Sequence, residues 1–144
     1  MIEIDEARVL QTAEKYWRSQ QWQATIEACA KALALNPRLS KAQKLMGDAL
    51  QKTGKTDEAI RYYHEAIAIE PDFAEVYANL GTLYARLKQW QSAIDYYQQA
   101  LKIKPEFTAI QQHLTRCLKQ AMVVDNLSSQ QQLEYLQQGQ LYKQ

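Results

Sequence analysis

Few side chains here are equipped for acid, base, nucleophilic or metal chemistry: the chain of 144 residues has two histidines, His64 and His113, and two cysteines, Cys29 and Cys117. Neither histidine has a cysteine or carboxylate at the spacing of a catalytic triad or a metal site. His64 follows Tyr63 in a helical pattern and reads as a partly exposed structural residue. No Gly-rich phosphate loop is present. The pairs Tyr62-Tyr63 and Tyr96-Tyr97 offer flat faces for base stacking, but rings at such regularly recurring positions more often fill a core. These residues predict no enzyme, no cofactor and no metal, so function is expected to come from shape.

The shape is written in a period. Pro37, Pro71 and Pro105 are separated by equal steps (71 − 37 = 105 − 71 = 34), and the residues between them repeat in kind. Met46-Gly47 falls on Leu80-Gly81, Leu50 on Tyr84, Ala59-Ile60 on Ala93-Ile94, Tyr62-Tyr63 on Tyr96-Tyr97, and Ala66-Ile67 on Ala100-Leu101. One further step back sets Tyr16 on Leu50, Ile26 on Ile60, Cys29 on Tyr63 and Ala32-Leu33 on Ala66-Ile67; Trp22 falls where Trp90 sits in the later copy.

Each recurring residue has a physical reason. Gly inside a helix costs about 1 kcal/mol relative to Ala, so Gly47 and Gly81 are expected where two helices approach closely. Ala59 and Ala66, like Ala93 and Ala100, recur at intervals of seven, leaving room for a partner helix while Tyr63 or Tyr97 fills the neighbouring gap. Asn36-Pro37, Glu70-Pro71 and Lys104-Pro105 end the second helix of each copy, because Pro disfavours helical geometry in the residue before it. Gly54 is expected in the left-handed position after a first helix, with Thr56-Asp57-Glu58 capping and charging the next helix start.

These residues resemble the tetratricopeptide repeat family, whose unit is a helix, a turn and a second antiparallel helix. The resemblance implies an all-α, right-handed α-solenoid of antiparallel helix pairs, with three full repeats at about 6–39, 40–73 and 74–107 in a single domain over 1–144. The first repeat departs from the pattern at Thr12, Ala13, Thr25 and Cys29. A degenerate fourth unit covers about 108–143, with Phe107 to Val124 reading as a helix that buries Ile110, Leu114, Cys117, Leu118 and Ala121. Beyond it, a Gln-rich stretch is read as a polar capping helix from near Ser128, with Leu127, Leu133, Leu136 and Leu141 as its core-facing residues. A flexible extension or the edge of a longer array is the alternative. Cys29 and Cys117 lie far apart along such a stack and are expected as buried thiols, not a disulfide.

Composition narrows the partner. A net charge of +1 argues against a nucleic-acid protein, which would carry a sustained basic stripe. No apolar run approaches the roughly 18 residues of a membrane span, and the acidic start Met1-Ile2-Glu3-Ile4-Asp5 is unlike a signal peptide, so the expected location is cytoplasmic.

In proteins of this resemblance, six positions of each first helix line a concave groove. Carried over, these are Ala7, Leu10, Gln11, Glu14, Trp17 and Arg18, then Lys41, Lys44, Leu45, Asp48, Gln51 and Lys52. The third unit supplies Glu75, Ala78, Asn79, Thr82, Ala85 and Arg86, and the fourth Ala109, Gln112, His113, Arg116, Lys119 and Gln120. Basic residues outnumber acidic ones on this surface, which favours an acidic or carboxylate-bearing peptide; Asn79 suits a peptide backbone, and Leu10, Trp17 and Leu45 offer apolar contacts. Each charge is equally well read as part of a solvated helix face. Trp17 is alternatively read as packing beneath residues 1–9, and Tyr62, Tyr96, Lys31 and Arg61 as a second, convex contact face.

Some relatives hold the C-terminal carboxylate of chaperones with Lys, Asn, Asn, Lys and Arg. Here Lys44 and Asn79 match two of those positions, whereas Asp48, Ala109 and His113 do not, so no such clamp is expected. The implied function is a non-catalytic interaction or assembly module, a scaffold binding an extended, acidic segment of another protein. Two alternatives stand beside it: a regulatory or substrate-recruiting part of a larger transferase, and a homo-oligomer joined through its terminal repeats.

Overall fold

A computed structural model of the chain describes residues 5–124 together with 130, 133, 134, 136 and 137. Among these residues the regular structure is entirely helical: α1 (Glu6–Arg18), α2 (Trp22–Leu35), α3 (Ser40–Lys52), α4 (Thr56–Ile69), α5 (Ala74–Arg86), α6 (Trp90–Ile103) and α7 (Thr108–Val124). They fall into two compact units, residues 1–71 and 72–144. In the first, α1 packs on α2, α2 on α3 and α3 on α4; in the second, α5 packs on α6 and α6 on α7. Three-residue connections within each pair leave no choice but antiparallel neighbours.

Helix ends follow from the repeated punctuation. Gln20, Gly54 and Lys88 have φ of 59°, 81° and 59°, and they too are one period apart (54 − 20 = 88 − 54 = 34). After each, the next N–H reaches back five residues: Gln21 to Tyr16 O, Lys55 to Leu50 O and Gln89 to Tyr84 O, each at 2.9 Å. This is the Schellman closure, which satisfies carbonyls that the helix end would otherwise leave bare. Only Gly54 has the residue type that makes the left-handed conformation free of strain. The expected Thr56 cap is not formed: Lys55 holds the N-cap position without a side-chain cap bond, and Thr56 is already helical. The preceding Schellman turn fixes the backbone through Lys55, so the short connector leaves no room for a separate capping residue. Asp57 and Glu58 do lie in the first turn of α4, where carboxylates complement the helix dipole.

The second helices stop before proline. Asn36, Glu70 and Lys104 have ψ between 82° and 100°, and each donates its N–H to an alanine of the repeating set, Ala32, Ala66 or Ala100, at 2.9 Å. Side chains tie these ends to the first helices: Asn36 Nδ2 donates to the Glu6 carboxylate at 3.2 Å and Ser40 Oγ to Glu70 at 2.9 Å. Gln43 Nε2 donates to the Pro37 carbonyl at 3.1 Å, and Gln111 Nε2 to the Pro105 carbonyl at 2.7 Å.

Glycine and tyrosine interlock at the centre of the α3–α4 and α5–α6 hairpins. A Cβ built on Gly47 would stand 2.6 Å from the Tyr63 ring, and one on Gly81 2.6 Å from the Tyr97 ring. Each helix pair can therefore close only because the ring lies across a bare Cα. Tyr63 is fully buried, as are Leu80, Ala93 and Ala100. In the second unit Ile94, Tyr97 and Leu101 of α6 meet Ile110, Leu114, Cys117, Leu118 and Ala121 of α7 in one apolar cluster. Of the Gln-rich stretch, Gln130, Leu133, Glu134, Leu136 and Gln137 are helical, and the rest of the expected capping helix, with Leu127 and Leu141, lies outside the described residues. Leu133 and Leu136, expected to face a core, are 56% and 38% exposed.

Candidate functional site

On the first unit, α3 presents Lys41, Lys44, Asp48 and Lys52, and α1 presents Leu10, Glu14, Trp17 and Arg18. Lys41, Lys52 and Arg18 are exposed, Leu10, Glu14, Trp17 and Lys44 are half-buried, and Leu45 and Asp48 are buried. Asp48 is bound from two sides. Lys44 Nζ approaches its Oδ2 at 2.7 Å, and the Tyr63 hydroxyl donates to its Oδ1 at 2.5 Å. The same hydroxyl lies 3.3 Å from Gln51 Oε1. Lys44 and Asp48 are four residues apart on one helix, so they meet on one face, and the tyrosine arrives from the paired helix α4. The Trp17 ring tilts against Trp22 at a centroid distance of 5.0 Å, and Lys52 Nζ stands 5.6 Å from the Trp22 centroid. Trp22 thus gathers Trp17 and Lys52, a role the sequence signals only by its match to Trp90. Burial, then the Asp48 and Glu14 carboxylates, push the Cys29 thiol up to about 12. A cavity of about 300 Å³ on α1 and α2, rimmed by Arg8, Glu27 and Lys31, includes none of the expected groove residues, and of the alternative convex face only Lys31.

The second unit is built differently at the same repeat positions. Thr82 stands where Asp48 stands one period earlier, and its hydroxyl lies 2.9 Å from the Tyr97 hydroxyl while donating to the Ala78 carbonyl at 3.1 Å. Asn79, one turn before Thr82, is half-buried. Glu75 pairs with Lys104 at 3.7 Å. Six of the expected groove positions, Thr82, Ala85, Arg86, His113, Arg116 and Gln120, converge on a cavity of about 290 Å³ among α5, α6 and α7. Its floor is Tyr97 and Cys117, both buried, and its walls are Ala85, Trp90 and His113, half-buried. The His113 imidazole stacks on Tyr97 with centroids 6.0 Å apart and planes at 23°. Arg86, Arg116 and Gln120 form an exposed rim, while Gln112 and Lys119 are exposed on α7 away from the lining.

This cavity is apolar below and cationic above. Burial, then the neighbouring Arg116 charge, holds the His113 imidazole below its usual value, so it is neutral near pH 7. Burial raises the Tyr97 phenol, and burial pushes the Cys117 thiol up to about 11 against the opposing pull of Arg116. Among the described residues no carboxylate pairs with Arg86 or Arg116, no cluster of His, Cys, Asp and Glu could hold a metal ion, and no helix is long and apolar enough to cross a membrane.

A sequence model described as tetratricopeptide repeat matches residues 38–106. No curated protein matches the chain. Among solved structures, a crystal structure of MamA superposes with a TM-score of 0.81 at 21% identity, over 96% of this chain and 78% of that one. The TPR2B domain of yeast Sti1, solved as a complex with pHsp70, gives a TM-score of 0.74 at 20% identity over 80% of this chain and 97% of that one. The first TPR of Spaghetti (RPAP3), bound to the HSP90 peptide SRMEEVD, gives 0.77 at 17% identity over 85% and 99%. The period of 34, the glycine and tyrosine interlock, the helical hairpins and these likenesses agree on an all-α tetratricopeptide-repeat fold, with residues 38–106 matching that family's sequence model.

Proposed function

We propose that the chain is a non-catalytic interaction module that binds an extended, acidic segment of a partner protein along its first-helix faces. The observation that carries this reading is the uneven pairing of charge. Of the three expected carboxylates, Asp48 is held by Lys44 and Glu75 by Lys104, leaving Glu14. Arg18, Lys41, Lys52, Arg86, Arg116 and Lys119 have no carboxylate partner among the described residues, so the first unit keeps its cationic excess on this face and the second, whose Glu75 is taken by Lys104, gains one. Exposed cations in excess over the remaining Glu14 attract an anionic ligand at long range and fix its register on contact. That two similar folds are solved with a bound protein or peptide supports a protein ligand in particular.

The test is fluorescence anisotropy with a labelled 12-residue Glu/Ser peptide and a Lys/Ser control, at low and high salt. The acidic peptide binds, the control does not, and affinity falls with salt. A variant carrying Lys41→Glu, Arg116→Glu and Lys119→Glu loses that binding while keeping its helical circular dichroism. Lys44 is left intact, since a glutamate there would face the buried Asp48. Equal binding of both peptides, or full affinity in the variant, overturns the proposal.

A further inference from the structure

We infer that the cavity among α5, α6 and α7 is a specificity pocket that seats one large apolar or aromatic side chain of the bound segment, with an adjacent carboxylate of that segment held by Arg86 and Arg116. The inference rests on the acidic-segment reading and adds to it which residue follows which. A uniformly acidic peptide would find the rim but leave the floor empty. The floor is made of ring faces and a thiol: Tyr97 and Cys117 are 2% and 4% exposed, so neither offers a hydrated charge to a ligand. The Tyr97 hydroxyl is already engaged with Thr82 at 2.9 Å, which turns the polar end of that ring away from need of a ligand. Trp90, Ala85 and the face of His113 complete walls that favour an apolar body. A volume of about 290 Å³ is too large for a single ordered water and matches the lower end of small-ligand pockets. The two arginines then fix what must lie next to that body. Each is exposed, planar and able to grip a carboxylate with two parallel bonds, and among the described residues neither is occupied by one.

His113 gives this pocket a signature that a purely structural histidine would lack. The groups facing it are Thr82 and Arg86 from α5, Trp90 and Tyr97 from α6, and Arg116 and Cys117 from its own helix. Tyr97 and Cys117 both titrate above the ordinary physiological range, so between about pH 5.5 and 8 the one lining group that changes charge is His113. In the free protein the Arg116 charge disfavours imidazolium. A ligand carboxylate on Arg116 cancels that repulsion, so with the Gly peptide, which lays no apolar body over the ring to deepen its burial, the bound state holds the His113 proton more tightly than the free state. Binding therefore takes up protons, and affinity rises as pH falls from about 7.5 to 5.5.

The experiment uses peptides of sequence Ser-Glu-Glu-X-Glu-Glu-Ser, where X is Gly, Leu or Phe, with anisotropy measured at pH 5.5, 6.5 and 7.5. The full chain binds the Phe and Leu peptides at least tenfold more tightly than the Gly peptide. Ala85→Phe, which fills the cavity from its wall, removes that preference but leaves salt-dependent binding of the Gly peptide. His113→Gln removes the rise in affinity of the Gly peptide toward low pH. Equal affinity for all three X, with the charge-reversal variant still impaired, overturns the pocket and leaves the acidic-segment reading standing. No salt-dependent binding of any peptide overturns both. Retention of the Phe preference in Ala85→Phe, in a variant with unchanged circular dichroism, also overturns the pocket.

Discussion

Tyr63 and Tyr97 occupy the same repeat position, and their hydroxyls do unequal work, so removing each in turn is an internally controlled experiment. Tyr63→Phe keeps the ring that lies against Gly47 and deletes a bond of 2.5 Å to Asp48 and a longer contact of 3.3 Å to Gln51. Asp48 is only 7% exposed, so water replaces that bond poorly. Hydrogen bonds to charged groups contribute about 1.5–3 kcal/mol. Lys44 stays at 2.7 Å and continues to compensate the carboxylate, which places the expected loss near the middle, about 2 kcal/mol. Tyr97→Phe deletes one bond between two hydroxyls at 2.9 Å, and Thr82 keeps the Ala78 carbonyl as acceptor. Neutral bonds contribute about 0.5–1.5 kcal/mol, so about 1 kcal/mol is expected there.

Urea unfolding followed by circular dichroism reads both changes. With a slope of about 2 kcal/mol per molar, the midpoint falls by about 1 M for Tyr63→Phe and about 0.5 M for Tyr97→Phe, with unchanged slopes. Lys44→Met in the Tyr63→Phe background should then cost more than in the wild type, because Asp48 would lose its second partner at a buried site. A Tyr97→Phe loss equal to or larger than that of Tyr63→Phe, or strict additivity with Lys44→Met, would refute the claim that Asp48 is held by a shared network.

Lys88 has φ of 59° without being glycine, so Lys88→Gly relieves strain and should stabilise the fold by about 1 kcal/mol, while Gly54→Ala, with open space around its Cβ, should cost about the same through conformation alone; urea midpoints report both. Cys29 and Cys117, pushed up to about 12 and about 11 and both buried, should resist iodoacetamide at pH 8 in the folded chain and react in urea, and rapid labelling of either in the folded state would contradict the packing described.

Helix placement was legible because proline follows each second helix at fixed steps and Gly54 marks the end of one first helix. α1, α3 and α5 begin at Glu6, Ser40 and Ala74, and α2, α4 and α6 stop one residue short of the pre-proline position. The left-handed residues Gln20 and Lys88 carry no type signal of their own; only their distance of one period from Gly54 could have found them. Thr56 misled because a capping signature is a local propensity, and the short Schellman connector fixed the backbone first. At the site, the four-residue step from Lys44 to Asp48 is readable as a helix pair, but the burial of Asp48 and its bond to Tyr63 depend on how two helices meet. The α5–α6–α7 cavity was invisible for the same reason. Arg86, His113 and Arg116 are expected on first-helix faces, whereas Tyr97 is expected to fill a gap in the core and Trp90 has no reading beyond its match to Trp22, and only the fold sets ring and cation around one space.

One repeat position explains why the two units differ chemically despite the same scaffold. Glu14, Asp48, Thr82 and Arg116 stand at successive steps of 34, so a single register runs from carboxylate through hydroxyl to guanidinium along the sequence. Fifteen residues after three of them lies the interlocking position, Cys29, Tyr63 and Tyr97 in turn. A tyrosine there can donate to Asp48 or share a bond with Thr82, but Cys29 cannot reach or satisfy Glu14 in that way; its thiol is held protonated partly by the Asp48 and Glu14 charges. The glycine and ring that close the α3–α4 and α5–α6 hairpins leave no room for a Cβ, so variation between these two collects in the residue the ring's hydroxyl meets. Opposite a tyrosine, the Asp48 carboxylate is drawn into the fold as a brace and takes Lys44 with it. A threonine leaves its neighbours' arginines uncommitted, and it is beside Thr82 that the cationic cavity forms.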